Sequence, residues 1–476
     1  MQFSTPDFIV FGLYLLLIAG VGIYFSKSQN SVKDYFLGGR TIPWFTACMS
    51  IVATETSTLT FIGIPAISFG GNMTFIQLAF GYFCARVIVS FVFLPTYFNN
   101  DFYTPYSLLN REIGTHTRRL SSAVFMVTRL LADGVRLFAT AIPLSLVSGL
   151  SYTESIAIVT VVTLLYTLLG GLKAVVWLDA LQLVVYIFGG LLTVYLISNH
   201  LPDGFAGIVQ TGASSGKLTW LNFDLNLKTT YTIFSGLIGG IFLGIGSHGT
   251  DQLIVQRLLA CKDLRAGQKA LIASGFIIIF QFALFLFIGI MLFAFYQHYP
   301  EKLNVSRPDE IFPLYIAREM PAGVTGLLVA GIFAAAMSTL SSTLNSLSST
   351  TVLDWLKPIL KDKWQEINQM ATARIVTILW GILLVGVATF ANHSTNVLET
   401  GLSIASFTYG SLVGIFLLLF IMKTISDKAS VLSMSLGIIA MIFIGSLGVA
   451  WPWFVFIGST ITFAIGYILR SIPSLK

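Results

Sequence analysis

The segment GIFAAAMSTLSSTLNSLSSTTVLD, residues Gly331–Asp354, is the most informative part of the chain. It is as apolar as a membrane helix, yet eleven of the fourteen residues from Ser338 to Thr351 are Ser, Thr or Asn. Side chains at i+3 and i+4 of an α-helix lie over the carbonyl of residue i. Ser338 and Thr339 can therefore direct two hydroxyls to the space beside the Ala335 carbonyl. Such a small, nearly neutral oxygen cluster suits a hard monovalent cation, and sodium fits best. The alternative is packing, because Ser and Thr often donate to i−4 carbonyls and let membrane helices approach closely.

The composition places the whole chain in a membrane. Of its 476 residues 55% are hydrophobic and 10% charged, with a mean hydropathy of +0.84. A water-soluble domain of this size does not have that composition, so we predict an all-α polytopic membrane protein with about thirteen spans. We predict the spans at residues 8–25, 43–69, 75–98, 120–149, 154–171, 178–199, 231–250, 271–297, 322–353, 371–391, 399–422, 430–450 and 452–470. The first span lacks a basic segment before it, so we expect it to stay in the mature protein rather than be cleaved as a signal.

The positive charges predict the orientation. With the amino terminus outside, the outer segments hold only five of the 27 lysines and arginines, namely Lys217, Lys228, Lys302, Arg307 and Arg318. Three more lie within the membrane. All the others, among them Lys27, Lys423 and Lys476, fall in cytoplasmic segments. We therefore expect the carboxyl terminus to be cytoplasmic. The net charge of +6 is then a topology signal and does not indicate nucleic-acid binding. Cys48, Cys84 and Cys261 form neither a disulfide framework nor a metal-ligand spacing.

Two predicted spans carry interruptions. The second has polar residues from Thr54 to Thr60 at mid-membrane, followed by Gly63 and Pro65. The seventh has several glycines around Ser247 and His248. The two spans lie five helices apart and therefore cross the membrane in opposite directions. Matching interruptions in oppositely oriented halves are typical of inverted-repeat transporters, whose site lies between the halves.

Several ionisable residues fall at membrane depth, where they are costly unless paired, hydrated or used. Arg129, Asp133 and Arg136 lie on one helix face and are either a structural cluster or part of a binding site. Glu55 is either a solute contact or a helix-N-terminal partner for an interior arginine. His248 is either a satisfied polar residue or a solute contact. Asp251 and Arg257 we place near the cytoplasmic end of their helix, in a gate or loop salt bridge.

Taken together these features resemble the sodium/solute symporter family. The matching motifs are DYFLGGR at 34–40, GGLKAVVWLDALQ at 170–182, GTDQLIVQR at 249–257 and PAGVTGLLVAGIFAAAMSTLSSTLNS at 321–346. The resemblance implies a leucine-transporter-type core of two inverted repeats of five helices. We expect the repeats at residues 43–199 and 231–422, preceded by one extra helix at 8–25 and followed by two at 430–470, all in a single domain.

The resemblance also implies where sodium binds. The common site of the family falls on the carbonyls of Ala53, Thr56 and Ala335 and on the hydroxyls of Ser338 and Thr339. Some members hold a second sodium on an aspartate of the fifth core helix, and Asp179, Ser338, Ser341 and Ser342 match that site. A nearby cation would keep the buried Asp179 ionised. The alternative for Asp179 is a helix-start cap near the cytoplasmic face.

The solute contacts implied by the resemblance lie on several core helices and include acids, bases and hydroxyls. They are Glu55, Ser57, Thr60, Phe75, Gln77, Arg129, Asp133, Arg136 and His248. This mixture suggests a small polar solute of the sugar, amino-acid or carboxylate class, without naming it.

We therefore expect a secondary active symporter that imports its solute with one sodium ion, or two, by alternating access. It would reside as a multi-pass protein in the plasma membrane, the inner membrane in a bacterium, with no obligatory protein partner. The alternative is a solute sensor that does not transport; the chain ends at Lys476, so its output would need a separate partner. An enzyme is not expected, since no nucleophile, base and orienting group occur together, and no Walker motif indicates ATP use.

Overall fold

The computed structural model describes residues 4–26, 32–99, 102–391, 397–422 and 425–472. Within these ranges the chain is helical, apart from loops and one isolated bridge between Ile42 and Cys261. Lys27, Lys423 and Lys476, which support the predicted orientation, lie outside the described residues.

Twenty α-helices are described. They are α1 Thr5–Ser26, α2 Val32–Leu37, α3 Trp44–Glu55, α4 Ile64–Gly70, α5 Ile76–Ile88, α6 Leu94–Phe98, α7 Pro105–Glu112, α8 Thr115–Ser148, α9 Tyr152–His200, α10 Gly204–Ser214, α11 Gly240–Ile245, α12 Gln252–Leu259, α13 Leu264–His298, α14 Ile311–Glu319, α15 Val324–Thr350, α16 Lys357–Leu360, α17 Gln369–Phe390, α18 Val397–Met422, α19 Asp427–Ser446 and α20 Phe454–Leu469.

This is an all-helical membrane protein. Among the described residues, eight helices are long and apolar enough to cross a bilayer, or nine if the bent pair Trp44–Glu55 and Leu59–Gly70 forms one span. The other predicted spans fall on α1, on α8, on the first part of α9 and on the interrupted segment around α11, which are shorter, broken or more polar. Within α9, Gly171 adopts φ 54° and ψ −161°, a backbone that L side chains rarely adopt, and it divides the helix between two predicted spans.

The first interrupted span breaks immediately after Glu55. Thr56 leaves the helical conformation with φ −81° and ψ 75°, and the chain resumes as a π-turn at Leu59–Gly63 before α4. The two arms meet at 60°. Gly63 is needed where α18 crosses the second arm, because an added Cβ would lie 2.8 Å from the Cβ of Leu398.

The second interrupted span breaks at Asp251. A π-turn over Gly246–Thr250 ends there, Asp251 adopts extended angles of φ −92° and ψ 125°, and α12 begins at the next residue. Ser247 and His248 thus lie one turn before the break. Asp251 itself lies at the break and caps α12, which corrects its expected place near the cytoplasmic end of the helix.

The hydroxyl-rich helix α15 is the centre of the fold. Every residue from Leu328 to Thr350 is buried, whereas two thirds of the most apolar window of α17 is not. α15 packs along α9, α8, α1 and the first arm α3. Its many hydroxyls are therefore all inside protein, where each must find a hydrogen-bond partner or a ligand.

Candidate functional site

The first break packs directly against the hydroxyl-rich face of α15. Thr339 Oγ1 donates to the carbonyl of Thr54 at 3.3 Å and to that of Ala335 at 3.2 Å. Thr58 Oγ1, on the other side of the break, donates to the carbonyl of Ile332 at 3.4 Å. The interruption is therefore fastened to α15 at two levels.

The first break leaves backbone carbonyls beside α15 without their helical hydrogen-bond donors. In a continuous helix the N–H groups of Ser57 and Thr60 would donate to the carbonyls of Ala53 and Thr56. Here the Ser57 N–H donates to Glu55 and the Thr60 N–H donates to Ser57. The carbonyls of Ala53 and Thr56 lose their helical donors, and unwound carbonyls of this kind are the groups that coordinate sodium in broken-helix transporters.

All five residues expected at the first sodium site are buried, with Ala335 the most exposed at 5%. Thr56 is expected to contribute its carbonyl, and its Oγ1 donates to Gln281 Oε1 at 2.7 Å. The hydroxyl of Ser338 donates to Asp179 Oδ1 at 2.6 Å, so its lone pairs stay available to a cation.

Asp179 lies in the second segment of α9, eight residues beyond the kink at Gly171, and is fully buried. It is not a helix-start cap. Its Oδ1 accepts from Ser338, while its Oδ2 accepts from Ser50 Oγ at 2.5 Å and from Arg257 Nη2 at 3.1 Å. Arg257 Nη2 also donates to Ser342 Oγ.

Of the residues expected at the second sodium site, Asp179, Ser338 and Ser342 come together through these hydrogen bonds. The hydroxyls of Ser341 and Ser342 donate to the Ser338 carbonyl at 3.1 and 2.6 Å. Sequence reasoning did not include Ser50, Arg257 and Thr54 in this cluster; Thr54 Oγ1 lies 3.4 Å from Asp179 Oδ2. The motif GTDQLIVQR contains Arg257 but does not indicate which carboxylate it meets.

A central cavity of about 80 Å³ lies beside the first break. It is lined by both arms of the first interrupted span and by α5, α8, α12, α13, α18 and the segment around α11. The lining residues are Thr54, Glu55, Ser57, Leu59, Thr60, Ile64, Phe75, Tyr82, Arg129, Arg136, Leu243, Ser247, Leu253, Ile254, Phe282, Leu398, Leu402, Ala405 and Tyr409.

Six of the nine expected solute contacts line this cavity: Glu55, Ser57, Thr60, Phe75, Arg129 and Arg136. Asp133 lies behind it and, with Arg136 and Thr339, lines a smaller neighbouring cavity. Gln77 lies apart from the lining. Its Nε2 donates to the Thr74 carbonyl at 2.9 Å and its Oε1 accepts from the Asn222 N–H at 3.1 Å, so Gln77 holds the loop before the seventh predicted span.

His248 is also absent from the lining. It is fully buried, its Nε2 lies 3.0 Å from Glu55 Oε1, and its Nδ1 lies 2.9 Å from the Gly244 carbonyl. Glu55 is paired as well with the buried Arg86, which also donates to Ser274 Oγ at 3.0 Å. Glu55 thus faces the cavity while Arg86 and His248 hold it from behind.

Two arginines on α8 face the cavity and differ in how many of their N–H groups are paired within the protein. Arg129 donates from Nε to Asp251 Oδ2 at 2.9 Å and from Nη2 to the Tyr409 hydroxyl at 2.7 Å. Arg136 donates from Nη1 to Asp133 Oδ1 at 2.8 Å, but among the described residues its Nε has no hydrogen-bond partner. Arg136 is therefore the guanidinium with donors left for a ligand.

Sequence reasoning missed several lining residues. Tyr82, Phe282, Leu398, Leu402 and Tyr409 are apolar or aromatic residues within membrane helices, and a cavity-facing side chain there has the same sequence pattern as a core one. Ser247 was noted beside His248, yet it is Ser247 that lines the cavity.

Comparisons with known proteins agree with this geometry. Residues 35–437 match the model of the sodium:solute symporter family. Sodium-coupled monocarboxylate transporter 1 of Mus musculus is 30% identical over 425 residues, which cover 87% of this chain and 69% of the relative. The sodium/sialic acid symporter SiaT of Proteus mirabilis is 29% identical over 440 residues, covering 91% and 88%.

A solved structure, the substrate-bound outward-open state of a Na⁺-coupled sialic acid symporter described as revealing a novel Na⁺ site, superposes closely on the fold. The TM-score is 0.90 at 27% identity, with 98% of both chains covered.

Proposed function

The chain belongs to the sodium:solute symporter family, and from that premise we propose that it imports a small monocarboxylate together with sodium. It is a multi-pass membrane symporter whose coupling ion is Na⁺, and its relatives are transporters. The identity of the solute, the ion ligands and the topology are the parts that we propose.

For the topology we propose thirteen membrane helices, with the amino terminus outside and the carboxyl terminus in the cytoplasm. The inverted repeats occupy residues 43–199 and 231–422, flanked by the helix at 8–25 and the pair at 430–470. The breaks after Glu55 and at Asp251, in the second and seventh predicted spans, support this arrangement. The scarcity of basic residues in the outer segments supports the orientation.

The first sodium would bind to the carbonyls of Ala53, Thr56 and Ala335 and the hydroxyls of Ser338 and Thr339. The carbonyls freed by the break, and the contact of Thr339 with both Thr54 and Ala335, support this assignment. A second sodium would bind to Asp179, Ser338, Ser341 and Ser342, sharing Ser338 with the first. The hydrogen bond from Ser338 to Asp179 supports it.

The single observation that carries the solute assignment is Arg136. Its guanidinium lines the central cavity, its side chain is 14% exposed, and its Nε lacks a partner among the described residues. A carboxylate is the ligand that matches such a fork of N–H donors. The hydroxyls of Ser57 and Thr60 line the same cavity and can donate to a carboxylate oxygen.

The rest of the lining favours a short apolar body on that carboxylate. Ten of the nineteen lining residues are aliphatic or phenylalanine, and Glu55 and Arg129 are already paired inside the protein. A polyhydroxylated sugar acid would leave many hydroxyls without partners in such a lining, which costs affinity.

Coupling follows from the shared position of the two sites. The residues from Ala53 to Thr60 would supply both the sodium carbonyls and the solute hydroxyls. Sodium bridging the break to α15 would therefore fix Ser57 and Thr60 in the geometry that binds solute. Such a gain in affinity is reciprocal, so solute must also tighten sodium binding.

The test is uptake into proteoliposomes of a radiolabelled short monocarboxylate, compared with sialate, under inward sodium or potassium gradients. We expect uptake of the monocarboxylate, driven by sodium alone. Preference for sialate would refute the proposed solute, and equal uptake in potassium would refute coupling. Binding of the monocarboxylate without counterflow would instead indicate a sensor.

A further inference from the structure

The second sodium site contains a cation of its own. We propose that the guanidinium of Arg257 exchanges with sodium at Asp179, so that in the empty carrier the arginine takes the ion's place. This inference deepens the proposed function and rests on it, since it requires the second sodium.

The contacts of Arg257 coincide with the expected ligands. Its Nη2 donates to Asp179 Oδ2 and to Ser342 Oγ, two of the four residues assigned to the second sodium. Its Nε donates to Ser50 Oγ at 2.8 Å and its Nη1 to the Leu253 carbonyl at 2.7 Å. Arg257 and Asp179 are both fully buried.

Sodium and the guanidinium compete for two of these oxygens. A sodium ion bound to Asp179 Oδ2 and Ser342 Oγ would take lone pairs to which Arg257 Nη2 now donates. Two adjacent buried cations on one carboxylate would also leave an uncompensated charge, which is costly.

Among the described ion pairs, the carboxylate that faces Arg257 is Asp179. The other carboxylates near the cavity face arginines of their own: the buried Arg86 faces Glu55, the buried Arg129 faces Asp251, and the partly buried Arg136 faces Asp133. When sodium binds to Asp179, Arg257 must therefore withdraw from it, keeping its contacts with Ser50 or Leu253 or reaching water.

The exchange has a mechanical consequence. Arg257 lies on α12, Ser50 on α3, Asp179 on α9 and Ser342 on α15, so the guanidinium joins four helices around the cytoplasmic arms of both broken spans. After sodium leaves to the cytoplasm, the return of Arg257 would close this side around an ionised Asp179. The empty carrier could then reorient without an ion.

Arg257→Gln separates the return of the empty carrier from the movement of the loaded carrier. Net uptake requires the empty carrier to return, whereas solute exchange at saturating sodium uses only loaded carriers. We expect net uptake to fall by about tenfold or more while exchange stays within about threefold, and the sodium concentration for half-saturation in a binding titration to fall about tenfold. Equal loss of uptake and exchange, with unchanged sodium affinity, would overturn the proposal.

Arg257→Lys covers the case in which the glutamine variant fails to fold. An ammonium keeps the charge but lacks the fork that holds Ser50 and Asp179 together. We expect net uptake to survive while sodium affinity rises several-fold; unchanged sodium affinity would overturn the exchange.

Asp179→Asn distinguishes a failure of the second sodium site from a failure of the exchange with Arg257. If the unmodified protein and this variant bind the same number of sodium ions, the second sodium is refuted and the exchange with it. If the unmodified protein binds one ion more, and Arg257→Gln still leaves sodium affinity and the ratio of uptake to exchange unchanged, only the role of Arg257 is refuted.

Discussion

Both broken helices interrupt their backbone hydrogen bonds, but the first break leaves carbonyls without donors whereas the second pairs its polar groups within the protein. At the first break the freed groups are the carbonyls of Ala53 and Thr56, and the neighbouring α15 offers neutral hydroxyls. At the second break Asp251 satisfies the freed Leu253 N–H at 2.8 Å with its own carboxylate. That carboxylate is then held by Arg129 and by the hydroxyl of Tyr409.

The difference teaches what makes an interruption a binding site. A break whose orphan groups are paired within the protein is a rigid joint, and its charge is already neutralised. A break whose carbonyls lack donors gains stability only when a cation arrives. In the proposed function the first break binds sodium, whereas the second break holds the cavity wall in place.

The largest effect should come from removing the charge of the second break. Asp251→Asn would leave the buried Arg129 without its main partner, which costs about 3–5 kcal/mol. We expect loss of folded protein or a large fall in melting temperature. Asp263→Asn is a matched control, since Asp263 caps α13 through the Ala266 N–H at an exposed position and should change stability little. Equal effects of the two substitutions would contradict the structural role of the second break.

Loss of the Arg136 guanidinium should abolish solute binding without unfolding the first break. Arg136→Ala is expected to remove solute-induced thermal stabilisation while leaving stabilisation by sodium intact. Asp133 would lose one partner but keep Thr343 Oγ1, which donates to its Oδ2 at 2.6 Å, and Arg129 at 3.6 Å. Retained solute affinity would make Arg136 structural.

Ser338→Ala tests the neutral oxygen cluster itself. A lost ligand costs about 1–3 kcal/mol, so the sodium concentration for half-maximal uptake should rise by about tenfold or more. Ser346→Ala is the control, because the hydroxyl of Ser346 is equally buried on α15 but donates only to the Thr343 carbonyl at 3.0 Å. If both variants share the parent's sodium dependence, the hydroxyls serve packing.

Asp179→Asn should lower the ion-to-solute ratio without abolishing coupling, and it should also lower the melting temperature because it leaves the buried Arg257 without its carboxylate. The first break keeps its carbonyls, so transport remains sodium-dependent while the ion-to-solute ratio falls from two towards one. Reversal potentials measured at several solute gradients give this ratio directly. The same ratio in both proteins would remove the second ion.

The smallest effect concerns the arm that follows the first break, the π-turn at Leu59–Gly63 and α4. Asp309, in the loop before α14, lies beside Gly63 and accepts from the Val397 N–H at 3.3 Å. Burial raises the pKa of Asp309 to about 6 from an ordinary value near 3.8. A raised carboxyl pKa contributes stability that is complete below about pH 4 and is lost as the pH rises through about 6. The melting temperature of the protein should therefore decline over that interval, and more weakly in Asp309→Asn; identical pH profiles would exclude this contribution.

Much of the membrane architecture could be predicted because it depends on local properties. Apolar length and the polar interruption at Thr54–Thr60 indicate spans and a break by themselves, and each predicted span overlaps a described helix. The position of the second break was less accurate, since glycines at 244–249 permit a distortion but the capping carboxylate of Asp251 determines where the new helix begins.

The sequence by itself determined that the chain is a membrane-embedded helical protein with two interruptions and a hydroxyl-rich helix, because hydropathy and residue type are local. Only the tertiary structure decided which charges meet: Arg257 with Asp179, Arg129 with Asp251, and Glu55 with Arg86 and His248. Electrostatic pairing depends on distances between helices far apart in the chain. For the same reason the structure alone separated Arg136, with donors left for a ligand, from three arginines of identical chemistry.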